Sequence, residues 1–359
     1  MRTRSIVLGV IATLIAGTVV IVVPRDTASP GETAPAEASA PTARASAPRE
    51  PTRVAQPALD RLLGGLDERS VDPQAAHHAL IEALQRDPAG TLSMLEAHLA
   101  DADPKGQAAR TIVGALVQVG TPEIQVALVQ LVDARVDDTA FVKLVVPTLG
   151  FLAKPTVATE DAVRALTSDT APEATRINAH LTLGVMASRF SDGDVPRGTA
   201  IVDGYAARLA EAKTVDERAR WLSVLGNAGT PEAARAIEAQ LATTDPVLRS
   251  QALEALRRVA SPDADAQLVR ALGDGDPRVR GSAAWSLSYR KATPETLRAL
   301  LGKLARERDE KVATRLLEVV WPRRAADLDA VLTTVRSVAS GHASPEVRRH
   351  AQTLLDAKT

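Results

Sequence analysis

The chain has 359 residues, no cysteine, 2% aromatic residues and a net charge of −1. The missing cysteine excludes disulfides, thiolate metal sites, cysteine nucleophiles and an acylated lipoprotein cysteine. The balanced charge supplies no global field to draw in nucleic acid, and abundant Ala and Leu with few aromatics favour close-packed helices over a β-sandwich.

The first predicted element is apolar. Met-Arg-Thr-Arg-Ser precedes residues 6–23, a run of 18 residues without a charge. As a helix it would reach about 27 Å, close to the thickness of a bilayer's hydrocarbon core. Both arginines come before it, so the N-terminus is expected to stay in the cytoplasm while the rest crosses. Residues 1–23 therefore read as a membrane anchor or, alternatively, as a signal segment cleaved near Ala34 and Ala36, giving a secreted chain. Either way the bulk lies outside the cytoplasm, on the periplasmic side if anchored. Residues 24–57 are rich in Pro, Ala, Ser and Thr. They have no apolar periodicity with which to bury a core, and read as a disordered linker.

From 58 to 359 the pattern is helix, turn, helix, with about 17 or 18 antiparallel helices. Pro73, Pro88, Pro104, Pro122, Pro172, Pro231, Pro246, Pro262, Pro277, Pro294 and Pro345 mostly follow Asp, Thr or Ser. That is an N-cap followed by Pro at the first helical position, where its missing N–H costs nothing. Residues 154–161 and 191–197 fit least well, and the second is the expected site of a longer loop or a seam. The last helix, with His350, Gln352 and Lys358, reads as a polar cap. Charge is uneven: 9 basic against 16 acidic residues over 58–170, hence −7, and 16 basic against 10 acidic over 276–359, hence +6.

Residues 214–290 are the most regular part. Thr214, Asp245 and Asp276 are spaced by 31, as are Arg218, Arg249 and Arg280, and Leu225, Leu256 and Leu287. A fixed period filled with helical pattern means stacked units, each covering the apolar face of its neighbour. Asp245-Pro-Val-Leu-Arg249 and Asp276-Pro-Arg-Val-Arg280, with Ala252 and Ala283 behind them, resemble the second helix of a HEAT repeat. Pro345-Glu-Val-Arg348 is a weaker echo, and Glu310-Lys-Val-Ala313 lacks the arginine. The resemblance implies an all-α solenoid that binds other macromolecules. It also implies a ladder in which Asp245 and Asp276 pair with Arg218, Arg249 and Arg280. Leu225-Gly-Asn-Ala-Gly-Thr-Pro and Leu181-Thr-Leu-Gly-Val-Met resemble, more weakly, the helical domain of vitellogenin-type large lipid-transfer proteins. That likeness implies a superhelix of similar helix number; the large β-sheets that hold lipid in that family have no counterpart in this sequence.

No catalytic apparatus emerges. None of the six histidines is followed by Glu, and there is no HExxH, nucleophile elbow, P-loop or G-x-G-x-x-G. His78 and His98 are the candidates for a zinc site across a helix pair. Gly273-Asp-Gly-Asp-Pro lacks the ligand series of a calcium loop and reads as a helix-ending Gly before the Asp276 cap. No catalytic, metal or cofactor site is therefore expected. One position departs from pattern. The 31-residue period aligns Ser223, Glu254 and Trp285, and a 33-residue step adds Glu318, so the position faces outward. Trp285 breaks that rule and Tyr289 lies one turn on, where the preceding repeat has an expected Glu254–Arg258 ion pair. Exposed neighbouring aromatics are the kind of patch that anchors a partner. Trp221 aligns with Ala252 and Ala283 and is expected in the core. The expected function is a non-enzymatic, membrane-tethered scaffold that binds a protein partner at Trp285 and Tyr289, with lipid binding or transfer as the alternative and nucleic acid excluded.

Overall fold

The computed structural model describes residues 56–190, 193–259 and 261–357. Among them are eighteen α-helices and no strand, within the expected number. Residues 6–23 lie outside the described residues; within these, no helix is long and apolar enough to cross a membrane.

The helices fall into two rows. The even row comprises α2 (Pro73–Arg86), α4 (Gln107–Val119), α6 (Thr139–Leu149), α8 (Glu173–Phe190) and α10 (Val215–Ala228), then α12 (Pro246–Leu256), α14 (Pro277–Ser288), α16 (Glu310–Val320) and α18 (Pro345–Asp356). Each packs on the next without interruption. The odd row comprises α1 (Gln56–Asp67), α3 (Pro88–Asp101), α5 (Pro122–Ala134), α7 (Val157–Ala165) and α9 (Val195–Glu211), then α11 (Pro231–Glu238), α13 (Pro262–Ala271), α15 (Pro294–Leu304) and α17 (Leu328–Gly341). The core runs between the rows. It is built of Leu, Val and Ala, with Phe141 its largest fully buried side chain.

The starts follow the sequence logic. Asp72, Thr121, Thr214, Thr230, Asp245, Asp276 and Thr293 each accept a backbone N–H of the first turn. Most of these caps precede Pro at the first helical position. Pro104 is an exception: it sits in the turn before α4, whose own cap, Gly106, offers no side chain. Asp67, at the end of α1, fills that role by accepting from Ala108 N at 3.1 Å. Gly273 does not end its helix in a left-handed conformation. Leu272 is the right-handed cap of α13, and only Gly120 and Gly229 among the described glycines have positive φ.

Small residues set the spacing of the even row. A Cβ on Gly184 of α8 would lie 2.4 Å from the Val224 carbonyl oxygen of α10, and one on Gly226 would lie 2.7 Å from Ala255 Cα of α12. Backbones that close leave no room for a side chain. Ala252 and Ala283, small residues elsewhere on the even row, are fully buried. Asn227 Nδ2 also reaches the Leu181 carbonyl at 3.5 Å, so both glycine-containing phrases mark helix-to-helix contacts.

The two irregular stretches are pinned by buried polar groups. Gln125 of α5, 1% exposed, donates to the carbonyls of Gly120 (2.9 Å) and Lys154 (3.0 Å). Its Oε1 accepts from Thr156 N (2.8 Å) and Thr159 Oγ1 (2.9 Å). Residues 154–161 thus hold the capped start of α7. Glu160 of α7 then pairs with Arg164 and, across to α9, with Arg197, whose guanidinium lies over the Phe190 ring. Instead of a long loop, Gly193 and the cap Asp194 lead straight into α9.

Candidate protein-binding face and arginine ladder

The ladder is present with different acidic partners from those expected. Asp245 and Asp276 cap their own helices, accepting from Val247 N and Arg278 N at 2.8 Å. The arginines reach the residue two places before the next cap. Arg249 makes a two-pronged pair with Asp274, 3.0 Å on each side. Arg280 does the same with Glu307, 2.8 Å on each side. Each arginine also turns back to the loop before its own helix: Arg249 to the Thr243 and Thr244 carbonyls, Arg280 to those of Asp274 and Gly275. For Arg218 the position two before the next cap is Thr243, which has no charge, and its Nε donates to the Ala212 carbonyl.

Glu307 is the deepest member, 5% exposed. Burial alone would raise its carboxyl. Hydrogen bonds from Arg280, from Lys303 and from the backbone N–H groups of Asp309 and Arg308 outweigh that and hold it at about 2. Where the next arginine should stand there is Ala313. Here His342 Nε2 bonds the Glu307 carbonyl oxygen at 3.0 Å, while its Nδ1 accepts from Ser344 N at 3.1 Å. The array resumes at Arg348, which donates to the His342 and Ala343 carbonyls.

A second arginine row, unforeseen from the sequence, lies at the opposite ends of the even helices. Arg290 donates to the carbonyls of Leu256, Val259 and Ser261 and pairs with Asp265. Arg323 donates to those of Leu287 and Ser288. Each satisfies carbonyls at the C-terminal end of the preceding even helix, which that helix cannot pair itself. The available signal was their 33-residue spacing just after a helix end.

The aromatic pair lies at this same edge. Trp285 is half-buried and Tyr289 is 40% exposed, the exposed aromatic side chain among the described residues. Their rings meet edge to face, 4.8 Å between centroids. The Arg257 guanidinium sits 5.4 Å from the Trp285 centroid and donates to the Glu254 carbonyl at 2.6 Å. Burial, and then the neighbouring Arg258, push Arg257 down to about 10. The Glu254 carboxylate, expected to pair with Arg258, accepts instead from Ser282 Oγ at 2.8 Å. Glu254 and Trp285 are half-buried at the position expected to face outward; with Arg257 and Tyr289 they make up a shelf.

Trp221 is core, as expected. With His180 and Tyr205 it forms a three-ring cluster joining α8, α9 and α10. His180 Nδ1 bonds the Tyr205 hydroxyl at 2.8 Å. Burial, with Arg208 and Arg220 nearby, lowers His180 to about 4, and burial raises Tyr205 to about 12. Two open clefts are formed among the described residues. One, of about 430 Å³, is lined by Asp67, His98, Asp101 and Asp103. The other, of about 480 Å³, is lined by Arg208, Glu211, Lys213 and Trp221. His77 bonds Gln118 at 2.8 Å. Among the described residues, no three His, Asp or Glu side chains converge as a metal site.

Two antiparallel rows stacked in this way define an α-solenoid. Within it, residues 202–288 and 238–321 match the family model for HEAT repeats. No curated protein sequence matches the chain significantly. Lipovitellin, in a structure describing its lipid–protein interactions, is similar with a TM-score of 0.50 and 16% identity, over 86% of this chain and 33% of that one. The karyopherin Kap121p bound to Pho4p is similar at TM-score 0.40 and 16% identity, over 83% of this chain and 37% of that one. Human deoxyhypusine hydroxylase is similar at TM-score 0.30 and 18% identity, over 84% of this chain and 96% of that one. These likenesses concern the fold alone.

Proposed function

We propose that this HEAT-repeat solenoid is a non-enzymatic scaffold or adaptor that binds a protein partner through the shelf around Trp285 and Tyr289. The observation that carries the reading is the Tyr289 ring, 40% exposed, set edge to face against the half-buried Trp285. Large aromatics with little conformational freedom are the usual anchors of protein interfaces. The basic balance of residues 276–359, 16 basic against 10 acidic, would speed encounter with an acidic partner. In this reading residues 1–23 tether the solenoid to a membrane, with residues 24–57 as spacer and the solenoid on the periplasmic side.

Lipid carriage has less support. Both of these open clefts are lined by charged side chains, whereas a lipid needs an apolar enclosure of several hundred Å³. The test is a crosslinking pull-down from membranes with the wild type and with Trp285→Ala and Tyr289→Ala. Loss of the same crosslinked protein from both variants supports the reading, and unchanged profiles overturn it. Reproducible lipid in extracts of the purified protein would favour the alternative.

A further inference from the structure

The shelf has a chemistry as well as a shape. Arg257 and Arg258 follow one another at the end of α12. No carboxylate forms an ion pair with Arg257 among the described residues; its Nε is buried without a hydrogen-bond partner, and only a backbone carbonyl receives its NH1. Glu254, one turn back on α12, accepts from Ser282 Oγ through Oε1 and forms no ion pair with Arg257 among the described residues. Burial weakens the hydration of the Arg257 guanidinium and lowers it from its ordinary value, so a carboxylate arriving here would meet a charge without an ion-pair partner among the described residues. Residues 276–359, which include both rings, carry a net charge of +6. The Trp285 ring meets both the Arg257 guanidinium and the exposed Tyr289 ring.

We propose that the shelf formed by Arg257, Trp285 and Tyr289 binds an acidic peptide segment of the partner, its carboxylate against Arg257 and an adjacent apolar side chain on the two rings. This rests on the protein-binding reading given above and specifies its ligand. The 5.4 Å between guanidinium and ring centroid sets the spacing. The carboxylate and the apolar side chain must come from residues one or two apart in an extended chain, at about 3.4 Å per residue.

The experiment uses the full-length chain in detergent and a phage-displayed library of random twelve-residue peptides. Peptides are selected on the wild type and counter-selected on Trp285→Ala/Tyr289→Ala, whose helical content is first checked by circular dichroism. The expected result is a set enriched in Asp or Glu within two positions of an apolar residue. Its members should bind at least tenfold more weakly to Tyr289→Ala, to Arg257→Gln, and as Asn/Gln analogues. Peptides that distinguish the wild type from the double variant but carry no acidic enrichment would overturn the acidic assignment and leave the binding face standing. A library yielding no peptide that distinguishes the two proteins would overturn both. Binding to phosphatidylglycerol vesicles through these residues, without any acidic peptide, would overturn the proposal in favour of a lipid surface.

Discussion

Arg280→Ala tests how adjacent repeats are joined. The substitution removes both bonds to Glu307 and the two bonds to the Asp274 and Gly275 carbonyls. The carbonyl positions are open enough for water to replace the arginine. The Glu307 side chain is only 2% exposed, so it keeps its charge in a poorly hydrated place. Breaking a buried pair by deleting one partner costs roughly 3–5 kcal/mol. Lys303 at 3.1 Å and the backbone N–H groups of Arg308 and Asp309 still hold the carboxylate, which points to the lower end, about 3 kcal/mol. Acid provides an independent measure. The Glu307 carboxyl lies at about 2 in the fold against an ordinary value of 4.5, so its stabilisation is complete above about pH 4.5 and is lost as pH falls toward 2. That shift corresponds to roughly 3 kcal/mol, of which about two-thirds is gone at pH 3. Urea unfolding of wild type and variant, followed by circular dichroism and tryptophan fluorescence at pH 7 and pH 3, should give a gap of about 3 kcal/mol shrinking to about 1 kcal/mol. Solenoids can unfold in parts, so the two probes must coincide for a single value to apply. A gap below about 1 kcal/mol at pH 7, or one that does not change with pH, would refute the account of Glu307 as a buried charge held by its neighbours.

Three other outcomes are expected. Gly226→Ala puts a methyl 2.7 Å from Ala255 Cα; forcing the even row apart should cost about 1–3 kcal/mol, and an unchanged melting temperature would contradict the close approach. His180 stays neutral in the fold, at about 4 against 6.5. The unfolded chain therefore takes up a proton that the fold refuses, and stability should fall by about 2 kcal/mol between pH 7.5 and pH 5; His180→Phe should flatten that slope, and an unaltered slope would point elsewhere. Gln125→Leu leaves buried donors and acceptors of the 154–159 segment without partners, a loss of about 2–4 kcal/mol; hydrogen exchange should quicken in α7 before the rest of the array.

The architecture could be read in the sequence because it depends on short-range signals. Thr121, Thr230 and Thr293 before Pro-Glu announce helix starts, and the 31-residue recurrence of Leu225, Leu256 and Leu287 announces stacking. The ladder arginines could be read for the same reason, since helical spacing fixes which face they occupy. Their partners could not. Whether Arg249 meets Asp245, Asp274 or Asp276 depends on how the loop after α13 folds back, and all three are aspartates near a helix start. Gln125 was invisible because three of its four bonds go to a segment about thirty residues away, and a lone glutamine carries no periodicity. The candidate face was half legible. Alignment placed Trp285 and Tyr289 on one edge, but the neighbouring Arg257 and the diversion of Glu254 to Ser282 arise from packing between α12 and α14.

The two-way reach of the ladder arginines gives the array a direction. Arg249 closes the loop behind it, yet its carboxylate belongs to the loop ahead, and the same holds for Arg280 and Glu307. A repeat therefore completes its own capping only when its successor has docked. Growth of ordered structure along the chain is rewarded at each junction, and a chain cut just before Glu307 would end in a guanidinium with no carboxylate to receive it. At Ala313 the scheme lapses, and hydrogen bonds of the His342 imidazole and of Ser344 replace the arginine–carboxylate clasp. The last helical pair is thereby fastened by a different kind of joint, one that salt should loosen less than the two ionic junctions before it.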